Sequence, residues 1–159
     1  MTAESGFNDD FVDMLRALVE SGTEFLVVGA HALALHGVPR STGDLDIWVR
    51  STPGNAQRVL GALEAFGAPI QKHGITRADL ETQGTVYQIG LPPRRIDLMT
   101  GLSGVEFEEA WTSRVEVEID GRQIPFLGLE ILRRNKKATG RDKDLLDLQL
   151  LGESQIDEE

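Results

Sequence analysis

Seven residues, Gly43-Asp44-Leu45-Asp46-Ile47-Trp48-Val49, constrain this chain more than any other stretch. Side chains alternate along a strand, so Leu45, Ile47 and Val49 turn to a core while Asp44 and Asp46 emerge together on the other face. Two strand steps set their Cα atoms about 6.6 Å apart. Carboxylates that close repel each other unless a cation lies between them, and a hard divalent ion such as Mg²⁺ meets that need. Aspartate is depleted in strands, which argues for a purpose. The pair alone reads equally well as a metal-binding motif or as solvated carboxylates on an edge strand.

The rest of the chain narrows the field. Its 159 residues suit one domain, and 40% apolar content is enough for a core. With 16 basic against 26 acidic residues the net charge is −10, which disfavours broad DNA or RNA binding without excluding a local basic site. There is no cysteine, hence no disulfide, redox thiol or zinc–thiolate site, and a cytoplasmic location is expected. No basic segment leads into an apolar run as in a signal peptide. The most apolar stretch, 25–38, is too short to span a membrane and contains His31 and His36.

Periodicity orders the elements. Phe11, Leu15, Leu18 and Val19 recur at helical spacing up to Gly22. Phe25 to Val28 reads as a buried strand. Gly29 opens a helix that closes at Gly37 and Pro39, and the aspartate strand follows. Thr52-Pro53 starts a helix with inner stripe Ala56, Val59, Leu60 and Leu63. The segment 68–83 reads as a loop with one helical turn. Strands are expected at 85–89 and 95–99, and a hairpin about Asp120-Gly121. The pattern is helical again from Gly128, with a basic stretch, Arg133 to Lys143, between two helices. This order predicts an α/β (α+β) fold, a mixed central sheet flanked by helices. The expected division is a core over 1–127, C-terminal helices packed on it over 128–151, and an acidic tail over 152–159.

Two further elements bear on chemistry. Val28-Gly29-Ala30 sits at a strand-to-helix turn, where free N–H groups suit a phosphate; taken alone, a plain helix cap is the favoured reading. Asp97 lies in Arg95-Ile96-Asp97-Leu98-Met99, with Ile96 and Leu98 pointing the other way. If that strand neighbours the first, three carboxylates meet on one face, a set able to hold two Mg²⁺ ions about 4 Å apart for displacement at phosphorus. Mn²⁺ is a substitute. His31 and His36 are about 500° apart around a helix and do not share a face. Trp48 falls on the aspartate side, where packing beneath the C-terminal helices is favoured over stacking on a base.

Together these residues resemble the polymerase-β-like nucleotidyltransferase superfamily: Val28-Gly29-Ala30, a spacer of residues 31–43, Asp44-Leu45-Asp46-Ile47, then Ile96-Asp97-Leu98. Arg40-Ser41-Thr42-Gly43 before the aspartates, and the ending Asn135 to Leu148, are similar to the small bacterial branch that holds AbiEii-like toxins and minimal nucleotidyltransferases of toxin–antitoxin pairs. The resemblance covers roughly residues 20 to 150. Ala30 departs from it, since glycine or serine is usual there and alanine offers only its backbone.

The resemblance implies a nucleotidyltransferase fold and transfer of an NMP from an NTP, such as ATP, to a hydroxyl on a protein, RNA or small molecule, with release of pyrophosphate. It implies Asp44, Asp46 and Asp97 as catalytic metal ligands. Nucleotide binding would fall to Gly29, Ala30, Arg40, Ser41, Thr42 and Lys137 or its neighbour Lys136. Asp144 stands as a weaker candidate beside a role as a helix N-terminal carboxylate. A cognate toxin or antitoxin is an implied partner; a membrane is not. Two other readings stand beside this one. The first is a catalytically weak protein of this fold that neutralises a partner by contact. The second is a glycosyltransferase using Asp-x-Asp, which leaves Asp97 and the Gly29 turn unexplained.

Overall fold

In the computed structural model the described residues are 7–39 and 43–156. Arg40, Ser41 and Thr42 lie outside them. Seven helices and six strands alternate among the described residues: α1 (Asp9–Glu20), β1 (Phe25–Val28), α2 (Gly29–Leu35), β2 (Leu45–Val49), α3 (Pro53–Phe66), α4 (Arg77–Glu81), β3 (Val86–Ile89), β4 (Ile96–Met99), α5 (Phe107–Thr112), β5 (Val115–Ile119), β6 (Arg122–Phe126), α6 (Leu129–Thr139) and α7 (Asp142–Ile156). The strands form one mixed sheet in the order β3-β4-β2-β1-β6-β5. The aspartate strand β2 is therefore central, not an edge. It runs antiparallel to β1 and parallel to β4.

Strand alternation divides the core into two faces. Phe25, Val27, Leu45, Ile47, Val49, Ile96 and Leu98 pack under α1, α3 and α4. Phe11, Met14, Leu15 and Leu18 supply the α1 stripe at i, i+3, i+4 and i+7. The opposite parity, Leu26, Val28 and Trp48, packs with residues of α2, α5, α6 and α7, among them Leu33, Phe107, Leu132 and Leu151. Trp48 is buried beneath the C-terminal helices, edge-on to Phe107 at 4.9 Å. Packing, not base stacking, explains it.

Local chemistry fixes the elements. Asn8 caps α1 by accepting from the Phe11 N–H at 2.9 Å. Pro53 follows the N-cap Thr52 of α3, where its missing N–H costs nothing. Thr76 and Asp79 form a reciprocal capping box on α4, the helical turn expected within 68–83. Three features differ from the sequence reading. Residues 107–112 form α5, which was not expected. The basic stretch lies mostly inside α6 rather than between helices, because Ile131, Leu132, Asn135 and Lys136 give that segment a buried face. Helix α7 runs on to Ile156, into the stretch read as a tail.

Asn55 ties β1 to β2 at the end away from the aspartates. Its Oδ1 accepts from the Glu24 N–H at 2.7 Å. Its Nδ2 donates to the Glu24 and Arg50 carbonyls at 3.0 and 2.8 Å. The side chain is 1% exposed, so Asn55→Ala leaves three backbone groups without this partner. We expect it to cost about 2–4 kcal/mol of folding free energy in a denaturant titration; a loss below about 0.5 kcal/mol would refute this bracing role.

Candidate active site

The register of three strands assembles the acidic face. Asp46 is the Cα partner of Val28 at the end of β1 and of Asp97 on β4. It thus stands between the Gly29 turn and the third carboxylate, on the face to which strand alternation turns it. Asp44 lies two residues earlier, at the mouth of the same face. Gly43, just before it, is pressed against the backbone of Pro93, where any β-carbon would overlap the Pro93 carbonyl. The β2 approach is therefore held tight against the β3–β4 loop.

Gly29 is required on two counts. Its φ is +67°, in the left-handed region, and a β-carbon there would overlap the Asp46 carboxylate. The carboxylate thus leans directly over the first residue of α2.

The electrostatics mark Asp46. Its pKa is pushed up to about 6 by burial first, then by the charges of Asp97 and Asp44, with Arg95 opposing. Arg95 had no role in the sequence reading. Its Nε donates to Asp97 Oδ1 at 2.7 Å and its Nη2 to Asp97 Oδ2 at 3.1 Å, a bidentate pair. The same Nη2 is 3.3 Å from Asp44 Oδ2. One guanidinium therefore bridges two of the three carboxylates.

A cavity of about 540 Å³ opens beside Asp46, between the sheet and the last two helices. Gly29, Ala30, Asn135, Lys136, Arg141 and Asp147 are among its walls. Lys136 lines this cavity; Lys137 does not. Lys137 lies one residue, about 100°, further round α6 and lines a separate cavity with Glu130, Arg133 and Arg134. The Lys136 ammonium sits 3.4 Å from Asp144 and 3.5 Å from Asp147. Burial lowers its pKa, with Asp144 pulling the other way. Asp144 is held well below the usual carboxylate range, chiefly by Arg141. Arg141 offers it Nε at 2.7 Å and a backbone N–H at 3.2 Å. Asp144 is thus the helix N-terminal carboxylate of the alternative reading, and Asp147 is the member of the pair that reaches the cavity.

Asn135, another residue the sequence reading passed over, is buried and donates to the Ser103 carbonyl at 3.0 Å. The histidines are structural. His31 stacks on Phe7 with ring centroids 4.9 Å apart, His36 Nε2 lies 2.9 Å from the Leu127 carbonyl, and His73 bonds the Tyr87 hydroxyl.

In kind, the donor set fits a hard divalent cation: carboxylate oxygens on adjoining strands of a rigid sheet, one of them destabilised by the negative charge around it. In arrangement, no three Asp, Glu or His side chains among the described residues close around one point. The Arg95 guanidinium takes the space between Asp44 and Asp97.

No family model matches the sequence, and no curated protein matches it. Solved structures are similar in fold. A Thermotoga maritima protein provisionally described as a nucleotidyltransferase superposes with a TM-score of 0.58 at 18% identity, over 87% of each chain. The lincosamide antibiotic adenylyltransferase LnuA, with lincomycin bound, gives 0.55 at 13% identity, over 92% of this chain and 96% of that one. ANT(2")-Ia, in complex with adenylyl-2"-tobramycin, gives 0.53 at 16% identity, over 91% of this chain and 86% of that one. The architecture of this chain is accordingly the nucleotidyltransferase fold, a mixed six-stranded sheet flanked by helices. Among the described residues no helix is long and apolar enough to cross a membrane.

Proposed function

We propose that this protein is a Mg²⁺-dependent nucleotidyltransferase that moves an NMP from an NTP to an acceptor hydroxyl. The observation that carries the reading is the register Val28–Asp46–Asp97, which sets Gly29, Asp46 and Asp97 side by side, with Gly29 and Asp46 in the wall of a cavity that Lys136 also lines. Asp44, Asp46 and Asp97 would hold the cations; bound there, Mg²⁺, or Mn²⁺ in its place, would supply positive charge to offset that of the transferring phosphoryl group. Gly29 and Ala30 offer backbone N–H groups to the triphosphate, and Lys136, rather than Lys137, offers the ammonium. Arg40, Ser41 and Thr42 carry over from the family resemblance as further phosphate contacts. Asp97 takes the acceptor's hydroxyl proton. The freed oxygen forms a bond to the α-phosphorus as the bond from that phosphorus to the bridging oxygen breaks, and pyrophosphate leaves.

Neighbours in fold widen the set of acceptors to be tested. LnuA and ANT(2")-Ia carry antibiotics, so small hydroxyl compounds belong in the test beside protein and RNA. The motif likeness to AbiEii-like proteins adds a cognate toxin or antitoxin in the cytoplasm. A second reading has its own observation: Arg95 already pairs with both Asp44 and Asp97, as expected of a protein of this fold that acts by contact alone.

The test is transfer of label from α-phosphate-labelled ATP, CTP, GTP and UTP with Mg²⁺. Total RNA, a cell lysate, an aminoglycoside and a lincosamide are the acceptors, and Asp44→Asn/Asp46→Asn is the control. Label in any acceptor that is lost in the control supports the enzyme and identifies its acceptor. No label, together with no Mg²⁺-dependent NTP binding, supports the contact reading instead.

A further inference from the structure

The mechanism above leaves Arg95 unused, yet it is the side chain most intimately bound to the carboxylates. It precedes β4 by one residue and shares strand parity with Asp97, so both project from the same face. Its main chain is fixed beside Asp44, because the Leu45 N–H donates to the Arg95 carbonyl at 3.0 Å. The side chain is not so confined: it is 28% exposed. A bidentate fork on Asp97 and a third contact to Asp44 Oδ2 engage both oxygens of one carboxylate and one of the other. The lone pairs turned to the guanidinium are not offered to a metal ion, and a divalent cation drawn to the same oxygens would meet the Arg95 charge at close range.

We infer that Arg95 is an internal counter-cation that competes with the divalent ion for Asp44 and Asp97, so that loading the site requires the guanidinium to swing away from both. This rests on the reading of the three aspartates as the cation site. It goes beyond that reading by giving Arg95 a positioning role: it stabilises the metal-free form and weakens the apparent affinity for the ion. The competition is geometric as well as electrostatic. A lysine would keep the charge but lose the planar fork.

The experiment is Mn²⁺ binding followed by electron paramagnetic resonance, with melting curves taken with and without Mn²⁺. The proteins are the full-length wild type, Arg95→Met, Arg95→Lys and Asp44→Asn/Asp46→Asn. Losing a charge-assisted competitor should tighten Mn²⁺ binding about tenfold in Arg95→Met. Arg95→Lys should lie between it and wild type. Arg95→Met should melt lower than wild type without metal and gain more on adding it, since tighter ligands stabilise more. A purely structural ion pair would lower the melting point without tightening Mn²⁺. If neither Arg95 variant bound Mn²⁺ more tightly than wild type, this inference would fall while the cation site stood. If Arg95→Met did not fold, Arg95→Lys alone would decide. No saturable Mn²⁺ binding in any of the proteins would overturn both the inference and the site it rests on.

Discussion

Asp46→Asn is expected to cut nucleotide transfer by at least about 10³-fold, some 4 kcal/mol of barrier, without weakening the fold. Asparagine has the size and shape of aspartate, so the packing of β2 between β1 and β4 is kept. What goes is a negative oxygen at the one position flanked by both Gly29 and Asp97. Stability should move the other way. In the unfolded chain this carboxyl titrates near 3.8; in the fold it titrates near 6. Between those values the native state holds a proton that the unfolded state has lost, so metal-free stability falls as pH rises through that window. Above it, the charged Asp46 costs up to about 3 kcal/mol. Asp46→Asn removes that cost. Melting the metal-free proteins at pH 4 and pH 7.5 should show Asp46→Asn losing part of the wild-type decline. Full transfer activity in this variant would dismantle the carboxylate assignment.

Gly29→Ala should be as damaging to activity for a different reason, and it should harm the fold too. Alanine at φ +67° carries about 1–2 kcal/mol of backbone strain. Its β-carbon would also occupy the space of the Asp46 carboxylate. One of the two must yield, and β2, as a central strand, has little freedom to do so. The two sources separate in a double-mutant cycle. In an Asp46→Ala background the overlap with the carboxylate is gone and only a tight 3.1 Å approach to the Asp46 β-carbon stays, so Gly29→Ala should cost mainly the backbone term, with a coupling of about 1 kcal/mol or more. Equal costs in the two backgrounds, measured by denaturant titration, would show that the overlap contributes nothing.

These two residues were legible in the sequence because each obeys a local rule. Strict alternation separated Leu45, Ile47 and Val49 from Asp44 and Asp46 and put Trp48 with the aspartates. A glycine between a buried strand and a helix marked a backbone special case. That Asp46 lies level with Asp97 was not legible, since strand register depends on pairing between segments about fifty residues apart. Arg95 was passed over although the same alternation that exposed Asp97 sets it on the same face. Its importance comes from an interaction across strands, with Asp44, that no local pattern encodes. The choice between Lys136 and Lys137 was open to a sharper reading. Lys136 follows the buried Leu132 by four residues, on the inner face of α6, whereas Lys137 follows Arg133 by four on the outer one. Helix α5 had a faint signal in Phe107, Ala110 and Trp111, but six residues are too few for a period to declare itself.

The closeness of Arg95 to Asp97 along the chain also bears on how the sheet is made. Pairing β4 with β2 brings Asp97 against Asp46, and two such charges would resist the approach. Arg95 travels on the same segment, two residues away, so β4 reaches β2 already carrying positive charge. On the proposed reading of the acidic face as a cation site, its assembly would make no demand on the ion supply: the chain would fold with Arg95 in place and take up a divalent ion afterwards.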